Sequence, residues 1–303
     1  MQPTEWIWKD GEHVPWASAT THVMSHALHY GSAVFEGIRA YATPRGRRFF
    51  RLDAHIQRLL ESARAYCMPM RWTQAQLEQA CRELVARNNM PQAYVRPLTY
   101  RGYGTMGLDP TSCPVETIIA TWDWGKYLTA GKSADEGIDV CVSSWQRVAP
   151  NTLPAMAKAA GNYLSSQLIR LEAKRNGYAE GLALCADGTI SEASGENVFL
   201  IKNGVIYTPD HSSSILLGIT RDSVIALARH LGYDVREARL PREMLYAADE
   251  VFLTGTAAEI TPVRSVDRIQ VGVGTAGPVT KAIHHAFFGL FDGTTPDRWS
   301  WLT

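Results

Sequence analysis

"LPAMAKAAGNYL", residues 153–164, sets a single lysine among alanine, methionine, glycine and proline. On a solvated helix face Lys158 would have charged neighbours three and four residues away. Those positions hold Ala155, Pro154, Gly161 and Asn162. Small side chains let a large flat group come close, and apolar surroundings penalise a charged amine. A neutral amine is what attack on an aldehyde requires. The stretch therefore reads as a lysine that condenses with a carbonyl cofactor.

Such a cofactor, pyridoxal phosphate being the common one, makes further demands: an acid for the ring nitrogen, a cradle for the phosphate, and hydroxyl or aromatic groups near the ring. "GTISEASGENVF", residues 188–199, supplies Glu192, with Glu196 as a second candidate. "SSSILLGITRDSVIALARHLG", residues 212–232, reads as a loop entering a helix with Thr220 at its N-cap. The N–H groups and dipole of such a start favour an anion. "LTGTAAEITPV", residues 253–263, adds the hydroxyls of Thr254 and Thr256. Arg58, beside Leu59 and Leu60 on a predicted helix, has the planar fork that suits a phosphate.

Around these segments the chain mixes strands and helices. "WIWKDGEHVPW" (6–16) alternates about a Lys-Asp-Gly turn, a hairpin signal. "DAHIQRLLESARAYC" (53–67) has apolar residues at helical spacing with Asp53 as its expected N-cap. "TQAQLEQACRELVARNN" (73–89) is a second amphipathic helix, capped by Thr73. "AYVRPLTYRG" and "VETIIATWDW" follow as strands. Later come a strand at "IDVCVSSW", a helix from Asn162 to Asn176 stopped by Gly177, a meander with Asp-Gly and Asn-Gly turns, helices at 220–231 and 278–290, and a strand at "DEVFLTG". The polar "GKYLTAGKSADEG" breaks the pattern. The expected organisation is a small N-terminal α/β domain (1–125), a linker (126–136) and a large C-terminal α/β domain (137–303) carrying Lys158. No Gly-rich dinucleotide fingerprint follows a strand.

Thirty basic and thirty acidic residues cancel, so neither nucleic acid nor an anionic membrane is an implied partner. No apolar run approaches the roughly 20 residues that span a bilayer, and the N-terminus lacks signal-peptide character. Five widely spaced cysteines without a CxxC pair suit thiols in a reducing cytoplasm. His26 and His29, at i,i+3, lack further ligands nearby, so no metal site is expected.

"HALHYGSAVFEGIRAY" (26–41), "AYVRPL" (93–98), "VSSWQRVAPNTLPAMAKAAGNYLSSQL" (142–168), "DGTISEASGENVF" (187–199), "LLGITRD" (216–222) and "DEVFLTGTAAEITPVRSVD" (249–267) together resemble the bacterial branched-chain amino acid aminotransferases. These are pyridoxal 5'-phosphate enzymes of the D-amino-acid-aminotransferase-like fold, fold type IV. The resemblance runs from about Trp6 to Trp301. It implies that Lys158 carries the cofactor and shuttles the substrate proton, that Glu192 meets the pyridine nitrogen, and that Tyr163 lies near the ring's phenolic oxygen. It gives Arg58, Ile219, Thr220 and Thr256 to the phosphate. Tyr94 and the backbone N–H groups of Thr256 and Ala257 would hold the substrate carboxylate.

The substrates would be L-leucine, L-isoleucine or L-valine in one half-reaction and 2-oxoglutarate in the other. A purely apolar pocket would reject the second carboxylate, because burying an unpaired charge is costly. The resemblance gives that carboxylate to Arg96. Phe35, Trp124 and Tyr127 form the apolar wall, with Gly37 leaving room. Tyr30 and Leu108 match positions donated by a neighbouring subunit, so at least a dimer is implied, with a hexamer also open. Leu108 stands where valine is frequent, a difference of about a methylene and on the order of 1 kcal/mol between substrates. Arg101 and Tyr103 depart from the family pattern and are expected at the rim of the pocket, with added selectivity for aromatic or acidic substrates as the alternative. D-amino-acid or (R)-amine transaminases and aminodeoxychorismate lyase share the scaffold. A cofactor-binding scaffold without turnover would need damage at Lys158, Glu192 or the phosphate cradle, and these are intact.

Overall fold

A computed structural model describes residues 2–125, 128 and 135–303. The chain separates into two compact units. The first comprises residues up to Gly125 together with Ala157–Gly161 and Asp297–Thr303; the second comprises the rest.

The first unit holds strands β1 (Trp6–Lys9), β2 (Glu12–Pro15), β3 (Ala33–Phe35), β4 (Ile38–Thr43), β5 (Gly46–Phe49), β6 (Ala93–Arg101) and β7 (Val115–Trp122), with helices α1 (His26–Tyr30), α2 (Leu52–Ala65) and α3 (Gln74–Arg87). The strands form one antiparallel sheet in the order β2-β1-β7-β6-β4-β5, and β3 also pairs with β6. Asp10 and Gly11, both at positive φ, turn the β1–β2 hairpin. Leu52, Ile56 and Leu59 of α2, and Leu77, Leu84 and Val85 of α3, are buried with Ile38, Val95 and Ile119 of the sheet. Each fully buried Leu or Ile contributes about 1.5–3 kcal/mol.

Helix α3 starts as expected: Thr73 and Gln76 make a reciprocal capping box. Helix α2 does not start at an Asp53 cap. Its cap position is Arg51, left-handed at φ 51°, and Asp53 falls in the first turn. The cause is non-local. Arg51 N–H donates to the carbonyl of Trp301, and Phe50 bridges Leu302, so the distant C-terminus fixes the turn.

The second unit holds β8 (Ile138–Val142), β9 (Glu180–Leu184), β10 (Ile190–Ala193), β11 (Asn197–Lys202), β12 (Val205–Pro209), β13 (Val235–Ala238), β14 (Glu250–Gly255), β15 (Glu259–Val266) and β16 (Ile269–Gln270). Its helices are α4 (Tyr163–Arg175), α5 (Ile219–His230), α6 (Met244–Ala247) and α7 (Pro278–Asp292). The sheet is mixed, in the order β10-β9-β8-β15-β14-β11-β12-β13, with β16 on β15. Pairs β8–β9, β8–β15 and β12–β13 are parallel. Phe199 and Phe252, stacked at 4.9 Å between centroids, lie fully buried on neighbouring strands β11 and β14.

Helix α5 is capped by Gly218 rather than Thr220, which sits inside its first turn. A Cβ on residue 218 would collide with Oδ1 of Asn197, so any larger residue there would have to displace that amide.

The segment of Lys158 belongs to the first unit, not to the C-terminal one expected to carry it. Ala159 bridges Val34, the N–H of Phe35 donates to the carbonyl of Lys158 at 3.0 Å, and the N–H of Lys158 donates to Ser62 Oγ at 3.0 Å. The lysine thus extends the edge at β3, a pairing that no local pattern announces. Most of the expected linker lies outside the described residues, as does Tyr127. Among the described residues no helix is long and apolar enough to cross a membrane.

Candidate active site

Within the first unit the side chain of Lys158 lies over the ring of Phe35, Nζ 5.1 Å from the centroid. The other candidate cation near that ring is Arg96 of β6, whose guanidinium is 4.7 Å from the centroid of Phe35. Tyr94, Trp122 and Trp124 surround the same guanidinium at 5.5, 5.5 and 5.9 Å. Aromatic faces attract a cation without supplying a counter-charge. Nε of Arg96 is buried with no hydrogen-bond partner among the described residues. The arrangement suits an anion brought from outside.

Tyr94 and Trp124 meet edge to face at 4.3 Å. A Cβ on Gly37 would collide with the hydroxyl of Tyr94, so the glycine at 37 is what allows that hydroxyl its place. Tyr30, at the end of α1, and Leu108 are 45% and 87% exposed.

Arg58 on α2 makes a bidentate contact with Glu36, Nε to Oε1 at 2.6 Å and Nη2 to Oε2 at 2.9 Å. His55, one turn earlier, donates from Nδ1 to the same Oε2 at 2.7 Å. Burial by itself would raise the Glu36 carboxyl; the charge of Arg58 and the hydrogen bonds from His55 and Arg58 overcome this and hold it far below the usual carboxylate range. Burial pushes His55 below its ordinary value, opposed by Glu36, so the ring is neutral with its proton on Nδ1. Neither Glu36 nor His55 stood out in the sequence. The available signal was the spacing of His55, Arg58 and Ser62, which share one face of a helix.

In the second unit Glu192 stands on β10, 6% exposed. Its Oε1 is 2.7 Å from Nη2 of Arg147, and its Oε2 accepts from Asn197 Nδ2 and from the N–H of Leu216, each at 3.0 Å. Arg147 and Asn197 are further residues that sequence reasoning missed; both lie inside segments quoted above. Glu196 is buried beyond the same turn, and burial together with the nearby Glu180 raises its carboxyl well above the ordinary value. A neutral acid is a poor partner for a ring nitrogen that must stay protonated, which favours Glu192. Tyr163 opens α4, Ile219 and Thr220 form the first turn of α5, and Thr256 and Ala257 lie in the turn joining β14 to β15. The register Asn197↔Thr254 brings the start of β11 beside the end of β14.

Arg101 is not at a rim. It is 3% exposed and donates to the carbonyls of Pro110 and Cys67, each at 2.8 Å. Three segments are tied by one buried fork, which is a structural role. Tyr103 is 58% exposed and packs on His22. His26 is engaged by Ser32 and the carbonyl of Gly107. Among the described residues no cluster could hold a metal ion.

The residues present fit pyridoxal phosphate: an amine, a fixed carboxylate, an arginine fork and a glycine-led helix start make up the donor set that its aldehyde, ring nitrogen and phosphate require. The chain belongs to the Amino-transferase class IV family, which it matches over residues 33–266. Within that class it is 56% identical over 299 residues to the branched-chain-amino-acid aminotransferase of Salmonella typhimurium, covering 98% of this chain and 96% of the relative. The crystal structure of the Escherichia coli branched-chain amino acid aminotransferase superposes with a TM-score of 0.96 at 55% identity, over 99% of this chain and 98% of that one. The T.th. branched-chain amino acid aminotransferase complexed with N-(5'-phosphopyridoxyl)-L-glutamate gives 0.94 at 43% identity, over 99% and 98%.

Proposed function

We infer that this chain is a branched-chain amino acid aminotransferase that uses pyridoxal 5'-phosphate to move the amino group of L-leucine, L-isoleucine or L-valine reversibly to 2-oxoglutarate. The observation that carries the substrate pair is Arg96 in its aromatic box, where one surface offers apolar ring faces and a cation whose Nε lacks a partner among the described residues. The solved relative bound to a phosphopyridoxyl-glutamate conjugate supports the same pairing. The D-amino-acid and (R)-amine alternatives are not favoured, because the full-length relatives are branched-chain enzymes.

When bound, the cofactor supplies an aldehyde for the amino group and a ring that accepts the electrons of the Cα–H bond. Lys158 would hold the cofactor and, once released from it, move a proton between the substrate Cα and C4′. Glu192, held by Arg147, Asn197 and Leu216 N–H, keeps a proton at the pyridine nitrogen. Tyr163 donates near the phenolic oxygen. Arg58, Thr256 and the first-turn N–H groups of Ile219 and Thr220 take the phosphate. Tyr94 and the N–H groups of Thr256 and Ala257 orient the substrate carboxylate. Phe35 and Trp124 wall the side-chain pocket, and Gly37 keeps it open.

The enzyme works as a homo-oligomer, at least a dimer, to which Tyr30 and Leu108 contribute from a neighbour. Exposed apolar residues support this: Val23, Leu28 and Tyr103 accompany those two, and Leu164, Leu168 and Leu171 line one face of α4. A cytoplasmic setting suits its five free thiols.

The test is spectroscopic. L-leucine should convert the yellow holoenzyme to the pyridoxamine form, and Lys158→Ala should abolish turnover. A spectrum unmoved by L-leucine but shifted by D-alanine would overturn the substrate reading, and a Lys158→Ala variant that still transaminates would overturn the mechanism.

A further inference from the structure

Helix α2 presents three polar side chains, His55, Arg58 and Ser62, on the side it buries. His55 and Ser62 are each 1% exposed, although the positions around them are Leu52, Ile56, Leu59 and Ala63. An apolar face of a core helix does not spend buried polar groups without return, because each must be desolvated and then paired. Here every one has a partner. Ser62 accepts from the N–H of Lys158, and His55 and Arg58 both reach Glu36.

Glu36 is itself fixed on all sides. It is 0% exposed, its N–H donates to the carbonyl of Pro97 on β6, and its Oε2 also lies within reach of the N–H of Gly37 at 3.3 Å. The residues before and after it, Phe35 and Gly37, are candidates for the substrate pocket. The bidentate contact uses the Nε–Nη2 edge of Arg58, so rotation of the guanidinium about its long axis is blocked. Replacing a buried ion pair and its hydrogen-bonded histidine by apolar residues would often cost a protein nothing in stability. Its presence points to a job other than stability.

We propose that Glu36 and His55 are positioning residues that lock the Arg58 fork for the cofactor phosphate. This rests on the assignment of Arg58 to the phosphate made above. His55, neutral and protonated at Nδ1, holds the second oxygen of Glu36 so that the carboxylate plane matches the fork. The same helix face sets the backbone of Lys158 through Ser62, so one rigid element indexes both the phosphate anchor and the lysine strand.

The proposal separates phosphate binding from everything else the cofactor does, and the test uses that separation. Full-length protein stripped of cofactor is titrated with pyridoxal 5'-phosphate and, in parallel, with pyridoxal, which lacks the phosphate. Arg58→Lys should weaken the phosphorylated ligand selectively. Glu36→Gln should do the same, by about tenfold or more, with pyridoxal affinity held within about twofold. His55→Gln should give a smaller selective loss, and Glu36→Asp should recover part of the Glu36→Gln deficit. Equal weakening of both ligands by Glu36→Gln, or no weakening of either, with Arg58→Lys still selective, would overturn the positioning role. An Arg58→Lys variant without selectivity would overturn the underlying phosphate assignment instead. If Glu36→Gln does not fold, the ratio measured for His55→Gln decides the same question.

Discussion

Arg147 donates from Nη2 to Oε1 of Glu192 across 2.7 Å, with both side chains almost wholly buried. The pair is worth less as attraction than as insurance against an unpaired charge. Asn197 and the N–H of Leu216 donate to the second oxygen of Glu192. Arg147→Met should therefore destabilise the protein by about 3 kcal/mol, at the lower end for breaking a buried ion pair. Denaturant unfolding of Arg147→Met, Glu192→Gln and the double variant measures this. The double variant should recover at least about 1 kcal/mol over simple additivity. Strict additivity would mean that the two residues are energetically independent.

Gly37 and Tyr94 make a second relationship with a measurable consequence. Because a Cβ at 37 would run into the tyrosine hydroxyl, Gly37→Ala must displace the ring or bend β4 at its start. Overpacking of this kind costs about 1–3 kcal/mol. The hydroxyl is also the proposed partner of the substrate carboxylate, so KM for L-leucine and for L-glutamate should rise together. A variant that raised only one of them would argue that Tyr94 contacts a side chain rather than the shared carboxylate.

Much of this was legible from local pattern. The capping box of α3, the Asp-Gly and Asn-Gly turns, and the helix bounded by Asn162 and Asn176 are short-range events with short-range causes. Lys158 stood out because its neighbours were wrong for a wet helix. What escaped was long-range. Arg51 is a cap position because Trp301 pairs with it, Lys158 joins the first unit because Val34 and Phe35 sit beside it, and Gly218 displaces Thr220 because Asn197 lies close. Among the partners of the site, Glu36 and Arg147 carry no signal of their own, and His55 only its place on the helix face of Arg58 and Ser62. A buried acid is recognised only once its cation is seen. Arg101 shows the reverse error: an unexpected arginine beside a pocket motif is expected at the rim, and it instead lies buried and ties three segments together.

Arg96 makes the sharpest functional prediction. Its guanidinium lies among four aromatic rings, and its Nε is buried without a partner among the described residues. Arg96→Met should keep the apolar surface while removing the charge. The half-reaction with L-leucine should stay within a few-fold of the parent, whereas that with L-glutamate should fall by about 100-fold, as expected for a lost charge-assisted hydrogen bond of about 3 kcal/mol. Single half-reactions followed by absorbance separate the two. Equal losses would place Arg96 at the carboxylate common to both substrates.

Glu196 gives a prediction about pH. It is buried, Glu180 and Glu192 disfavour its ionisation, and Arg170 and the N–H of Gly195 favour it; burial and Glu180 prevail, so the folded protein holds this proton to higher pH than the unfolded chain does. For a carboxyl shifted in this direction the two states bind equally at low pH. As pH rises past the ordinary glutamate value near 4.5, the unfolded chain loses its proton first and stability declines. The decline continues until the folded carboxyl also ionises. Glutamine mimics the neutral acid and can keep the contact with Gly195 N–H, so Glu196→Gln should remove that slope. The variant should match the parent near about pH 4 and become the more stable of the two as pH rises from there, the gap ceasing to widen where the folded carboxyl ionises. Thermal unfolding across that range checks it. A variant less stable than the parent at neutral pH would show that Glu196 is ionised in the folded protein and that its charge is paired.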